Sequence, residues 1–293
     1  MTATAAAPSP RARATAAVTH LGADGPPREL RAILAFPAGA VGGANIVMQL
    51  AQLPVGHGVA ESKVESGALY AHPIKRARTT FGYVMIALFG TDEERDVLAA
   101  EVTAVHRHVH SEPGAPVRYT ALDPKLQLWV AACIYRGLED AYALLNGPAP
   151  DDLLDLVYAH SARLATMLQV APELWPADRA AFDEYWARAT ARIEMDDVTR
   201  AYLYDFAGLG FLPWPVPQLF GRFHRTVTAG FLPAPFRDEL GLAWGPREQR
   251  VFAVTTSTLR LVNRLTLPPL RRLPFEMYLW DMRRRIRRRR RIL

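Results

Sequence analysis

Proline and glycine punctuate this chain at helical intervals, and that spacing constrains what it can fold into more than any other feature. Breaks fall at Gly147-Pro148, Pro172, Pro213-Trp214-Pro215, Pro233 to Pro235 and Pro268-Pro269. The stretches between them carry apolar residues at three- and four-residue steps, the period of a helix with one buried face. No alternating apolar run convincing enough for a sheet and no internal repeat interrupts the pattern. Thr91-Asp92-Glu93-Glu94 supplies an N-cap acceptor and a carboxylate that reaches back from three residues on, a capping box that predicts a helix through about His110. Asp123-Pro124 sets an N-cap acceptor before a proline whose missing N–H has no partner to lose at the first helical position, and predicts a helix through about Leu145. Further helices are expected over 44–53, 74–89, 151–168, 177–192, 197–208, 216–229, 246–266 and 272–286. The expected fold class is all-α, a single globular multi-helix domain over 28–282. A disordered leader over 1–27 and an Arg-rich tail over 283–293 are expected outside it.

Half of the 293 residues are hydrophobic, enough to bury a substantial core. The net charge of +6 is misleading, because Arg283, Arg284, Arg285 and Arg287 to Arg291 supply eight positive charges. Removing them leaves the rest of the chain at −2. That balance argues against a nucleic-acid-binding body, which needs Lys and Arg spread along a face. The single cysteine, Cys133, rules out a disulfide framework and any cysteine-based metal cluster within the chain, and its apolar neighbours predict a buried, inert thiol. The first 25 residues lack the sustained apolar run of a signal peptide. No stretch reaches the ~20 apolar residues of a spanning helix; Phe81 to Phe89, the most apolar, is too short. A cytoplasmic protein is the expectation. The Arg tail, with Ile286, Ile292 and Leu293 interspersed, suits a membrane surface, where each cation near anionic headgroups contributes about 1 kcal/mol. Sequence-independent contact with nucleic acid is a second option, and a solvated end is the plainer reading.

The helix opened by Thr91 ends in Val105-His106-Arg107-His108-Val109-His110. At about 100° per residue, Leu98, Val102, Val105 and Val109 form one stripe, with His106 roughly 70°, His108 roughly 90° and His110 roughly 110° from its centre. His106 is therefore the histidine best placed to point inward. On periodicity alone the plainest reading is a core-edge histidine hydrogen-bonded to a carbonyl. A zinc pair from His106 and His110 at i, i+4 lacks the neighbouring glutamate of a metalloprotease helix. Trp175, Trp186, Trp214 and Trp244 read as core or interface anchors.

Several blocks in order along the chain carry a resemblance to a known family: GANIVMQLAQLPVGHGVAES over 43–62, RARTT over 76–80, FGT over 89–91, VHRHV over 105–109, and YTALDP over 119–124 followed by LWV over 128–130. Leu232-Pro233, Arg237, Trp244 and LPPLRRLP over 267–274 continue it. In these the chain resembles the oxygenase family that contains the fungal MpaB enzyme and the bacterial latex-clearing rubber oxygenases. The resemblance spans about Gly42 to Arg285. It implies a mostly helical pocket holding haem b, its iron bound by His106, in an enzyme that uses O2 to oxidise a hydrophobic small-molecule, isoprenoid or lipid substrate. The implied reaction is oxidative cleavage of a carbon–carbon double bond in an isoprenoid-like chain.

By the same resemblance Arg76, Thr79 and Thr80 would fall on the distal side, where a guanidinium can pair with a propionate or polarise bound oxygen and a hydroxyl can donate to that oxygen or hold a water. Arg76 and Thr80 would also contact the cofactor. Glu61 matches an acidic position suited to a base, although a helix-surface glutamate is the plainer reading. Lys75 and Arg78 read as a solvated basic turn. Rubber oxygenases carry a distal lysine where this chain has Thr79, with Lys75 a turn away, a departure that counts against polymer cleavage itself. His57, between Gly56 and Gly58, is a backup ligand or a loop residue. Two further readings stay open: a non-catalytic haem or lipid carrier on the same fold, and a cofactor-free helical binding protein.

Overall fold

A computed structural model of the chain describes residues 26–61, 69–288 and 290. Most of the expected leader and the final residues of the Arg tail lie outside the described residues. Within them the fold is all-α: twelve α-helices and three short 3-10 turns, with no strand beyond two isolated bridges. The helices are α1 (Gly42–Leu50), α2 (Leu53–Ala60), α3 (Pro73–Phe89), α4 (Asp92–His106), α5 (Pro124–Asn146) and α6 (Asp151–Thr166). They continue as α7 (Arg179–Thr190), α8 (Asp197–Ala207), α9 (Val216–Phe231), α10 (Ala234–Leu240), α11 (Pro246–Leu265) and α12 (Pro268–Arg287).

The differences from the sequence expectation have local causes. The helix expected over 44–53 stops at Leu50, because Gln52 turns extended and Leu53-Pro54 starts α2. Gly56 and Gly58 read as loop residues, yet they are helical. A Cβ on Gly56 would stand 2.7 Å from the Leu50 carbonyl oxygen and from Thr199, so the close approach of α2 to α1 and α8 requires glycine there. Pro233 to Pro235 and Pro268-Pro269, taken as breaks, begin α10 and α12, since a proline in the first turn removes an N–H that has no helical partner. Helix α12 therefore starts four residues earlier than expected. It also runs on through Arg287, into the arginine run. There Arg283 donates to Glu94 at 3.0 Å and to the Phe89 carbonyl at 3.0 Å, which fastens α12 across the α3–α4 junction.

Helix α4 ends at His106 instead of near His110. Beyond it the chain pairs with the segment before α5: Ala121 N–H donates to the Val109 carbonyl at 2.8 Å and Ser111 N–H to the Tyr119 carbonyl at 2.9 Å, around an antiparallel His110–Thr120 bridge. At the other end of α4 the capping box is complete, with Glu94 N–H on Thr91 Oγ1 at 3.2 Å and Thr91 N–H on Glu94 Oε2 at 3.0 Å. Thr91→Ala should cost about 1 kcal/mol in urea unfolding, with Thr91→Ser retaining most of it. No loss in the alanine variant would mean that the Arg283–Glu94 contact alone holds this end.

Helix α5 is the axis of the fold, apolar around most of its circumference as a central helix must be. Leu128, Ala131, Ala132 and Tyr135 pack into a cluster with Ile86, Phe89 and Leu164 from α3 and α6. Trp129 and Cys133 face the other way, into a cluster with Val47 and Met48 of α1, Leu203 and Phe206 of α8, and Phe236 of α10. Burial of Cys133 raises its thiol pKa well above the ordinary value, which keeps it inert. Trp175 is buried, Trp186 stacks on Trp129 at 5.2 Å, and Trp244 packs edge-on to Phe252. Trp214 is not an anchor: it is 78% exposed.

Candidate functional site

A third face of α5, formed by Gln127, Val130 and Ile134 at i, i+3 and i+7, borders a cavity closed by α1 to α4 and the 119–121 segment. The walls are mostly apolar: Val55 and Val59 from α2, Val102 and Val105 from α4, and Val109 just beyond it. The position of Val109 follows the stripe expected from periodicity even though its backbone is no longer helical.

His106 lines this cavity, half-buried, while His108 and His110 are exposed. Its Nδ1 is buried with no hydrogen-bond partner among the described residues, and no carbonyl among them holds it as the core histidine that periodicity alone suggests. Burial first, and the nearby positive charge of Arg76 second, push the imidazole pKa down to about 4. At neutral pH the ring is uncharged and keeps a nitrogen lone pair. The arrangement of one neutral imidazole with an unpartnered nitrogen, in a mostly apolar cavity, fits a residue that would hold a haem iron. The zinc pair is not formed, because the helix ends before His110 can stand one turn above His106. Among the described residues no group of three or more His, Cys, Asp or Glu side chains gathers as a metal site.

Helix α3 contributes Lys75, Arg76, Thr79, Thr80 and Tyr83 to the cavity, positions that share one face at helical spacing. Its opposite face is committed elsewhere: Phe81 stacks on Tyr278 of α12 at 5.3 Å. Arg76 keeps accessible area because it borders the cavity, yet the protein around it lowers its pKa, and only Tyr202 offers a compensating interaction. Among the described residues no carboxylate pairs with it. The two threonines differ: Thr79 Oγ1 donates to the Arg76 carbonyl at 3.0 Å, whereas the Thr80 hydroxyl has no partner among the described residues. Thr80 is thus the one free to donate into the cavity. Lys75 also lines the cavity and is not simply a solvated turn residue, while Arg78 points to Asp281 at 4.0 Å.

The structure does not bring Glu61 into this group. It lies among the residues around His108, His110 and Glu112, and its Oε1 hydrogen-bonds His57 Nδ1 at 2.8 Å. His57 is a helical, buried residue whose Nε2 meets Asp196 Oδ2 at 2.6 Å. With both nitrogens engaged it offers no lone pair to a metal, and it serves to tie α2 to α8. Burial would lower the His57 pKa, but the hydrogen bonds to Asp196 and Glu61 outweigh it and leave the pKa raised. Folding therefore favours the protonated ring. Its contribution is complete below the unfolded value of about 6.5 and fades as pH rises through the raised folded value. Unfolding free energy should decline across that window in the wild type, and the decline should flatten in His57→Gln. Parallel curves for the two proteins would remove His57 from that role.

Residues not anticipated from sequence also shape the site. Gln127 is buried on the cavity wall, with Nε2 on the Ala121 carbonyl at 2.9 Å and Oε1 unpartnered. A lone amide in the run Leu126-Gln127-Leu128-Trp129-Val130 was the available signal. Tyr83 donates to the Leu164 carbonyl at 2.6 Å and so fixes the cavity face of α3 against α6.

The family described as ER-bound oxygenase mpaB/B'/Rubber oxygenase, catalytic domain, matches residues 30–261. Two proteins described as uncharacterized, one from Mycobacterium tuberculosis and one from Mycobacterium bovis, are each 46% identical over 250 residues, covering 85% of this chain and 98% of theirs. No solved structure matches the chain. No helix among the described residues is long and apolar enough to cross a membrane.

Proposed function

This chain belongs to the mpaB and rubber oxygenase catalytic-domain family, and from that premise we propose that it is a haem b-dependent oxygenase acting with O2 on a hydrophobic substrate. The observation that carries the reading is the neutral, half-buried His106 with an unpartnered nitrogen in an apolar cavity. When bound, haem would supply dioxygen activation, chemistry that no side chain of this protein can perform. The protein supplies the rest. His106 would hold the iron through its unpartnered nitrogen. Arg76 and Lys75 are cations suited to carboxylates such as propionates, and Arg76 is the stronger candidate because a planar guanidinium can bind a carboxylate in two-pronged fashion. The Thr80 hydroxyl can donate to an oxygen held in the cavity. The valine-rich walls favour an apolar substrate, for which oxidative cleavage of a double bond in an isoprenoid-like chain is the proposed reaction.

An absorption spectrum of the purified chain, before and after haem reconstitution, should show an intense Soret band. No band after reconstitution would overturn the proposal and favour a cofactor-free binding protein. The reduced, loaded protein given O2 and a panel of polyprenyl and unsaturated lipids should yield carbonyl products; haem binding without turnover across the panel would favour the carrier reading. Cytoplasmic placement, with the chain free of a spanning helix over its described residues, is part of the same proposal.

A further inference from the structure

Helices α11 and α12 meet at Thr266-Leu267, and the outer side of this corner is apolar. Leu265 is 75% and Leu267 65% exposed. From the corner, Leu270, Leu273, Met277 and Trp280 run along α12 at i, i+3, i+7 and i+10, a stripe about 80° wide at about 100° per residue. All four are at least half exposed. Such a stripe normally faces a core, and this one has no core to face among the described residues.

The two carboxylates beside it are held in ion pairs, and the exposed charges that extend it are cationic. Arg264 stands beside Leu265, and Arg284 continues the stripe one turn beyond Trp280 with its guanidinium 5.2 Å over the indole ring. Arg287 and Arg288 follow, both exposed. The two carboxylates of α12 are already engaged, Glu276 with Arg31 and Asp281 with Arg285. The face is therefore apolar along its middle and cationic along its margin, with no free acid on α12.

We propose that this face lies in the interface of an anionic lipid bilayer, with the Leu265–Leu270 corner and the α12 stripe entering the acyl boundary and the arginines meeting phosphate headgroups. An interfacial helix needs this combination of apolar face and cationic rim. A second copy docking by two-fold symmetry would set the arginine margins against each other, which disfavours self-association as the occupant. The proposal stands on the surface alone and is independent of what the cavity binds. It assigns membrane contact to the apolar corner and stripe, with the terminal arginines as the electrostatic contribution.

The test is cosedimentation of the full chain with vesicles of phosphatidylcholine alone or mixed with phosphatidylglycerol. The wild type should bind the mixed vesicles, and the variant Leu265→Ser/Leu270→Ser/Met277→Ser should lose about tenfold or more in affinity with every arginine intact. These side chains are exposed, so melting should be unchanged. A second readout compares the wild type with Trp280→Phe: a blue shift of emission on vesicle addition should be confined to the wild type. Equal binding by the triple variant would overturn the proposal in favour of the arginines alone. Failure of the wild type to bind mixed vesicles would also overturn it, as would a wild-type dimer in sedimentation velocity that the triple variant dissolves without any vesicle binding.

Discussion

Alanine at position 106 is expected to abolish haem retention by the reconstituted protein, while His108→Ala and His110→Ala leave the Soret band in place. The three histidines lie within five residues, but only His106 reaches the cavity; the other two are exposed on the segment that turns away to pair with Thr120. Its pKa near 4 means that no proton competes for the lone pair at neutral pH. Loss of an outer partner of a metal ligand costs roughly 10- to 100-fold in affinity, so loss of the ligand itself should exceed that. His106→Gly with added imidazole should restore the band, which separates a missing ligand from a misfolded pocket. A bleached His108→Ala protein, or an unchanged spectrum in His106→Ala, would disprove the assignment.

The largest effect on stability should come from Trp129→Ala. Trp129 is fully buried on α5, stacked between Trp186 at 5.2 Å and Phe236 at 6.4 Å. Its indole N–H donates to the carbonyls of Met48 at 3.2 Å and Gln49 at 3.1 Å, in the last turn of α1. Truncation opens a cavity between stacked rings and strips a donor from a buried helix end, for an expected loss of about 3–5 kcal/mol in urea unfolding. Trp129→Phe keeps much of the stacking but not the donor and should cost about 1–3 kcal/mol. Equal losses in the two variants would show that the hydrogen bonds, and not the ring volume, dominate. Because Gln49 and Leu50 line the cavity, the alanine variant should also weaken haem retention.

The helices announced by side-chain chemistry were legible in the sequence. Thr91 with Glu94 and Asp123 with Pro124 act within one turn of chain, and α4 and α5 begin where they predict. Less legible was anything decided by a distant neighbour. Gly56 of α2 read as loop because its main reason, the approach to Thr199 of α8, lies outside the local window. His57 and Glu61 read as separate options for ligand and base, yet Asp196, more than a hundred residues on, joins them in one hydrogen-bonded group. Lys75 read as solvated because its place beside the cavity depends on α2 and α5, which line the same cavity from elsewhere in the chain.

What the sequence determined by itself was the all-helical class and the inward bias of His106, whereas the grouping of Arg76, Thr79 and Thr80 was implied only by the family resemblance. The first two follow from periodicity and capping, which are properties of residues within a few positions of one another. Tertiary structure decided which groups are left with something to give. Among the described residues it left a nitrogen of His106 and the hydroxyl of Thr80 without a partner, turned the Thr79 hydroxyl back onto its own helix, and closed His57 between two carboxylates. Whether a polar group already has a partner depends on elements far apart in the chain, and no local pattern records it.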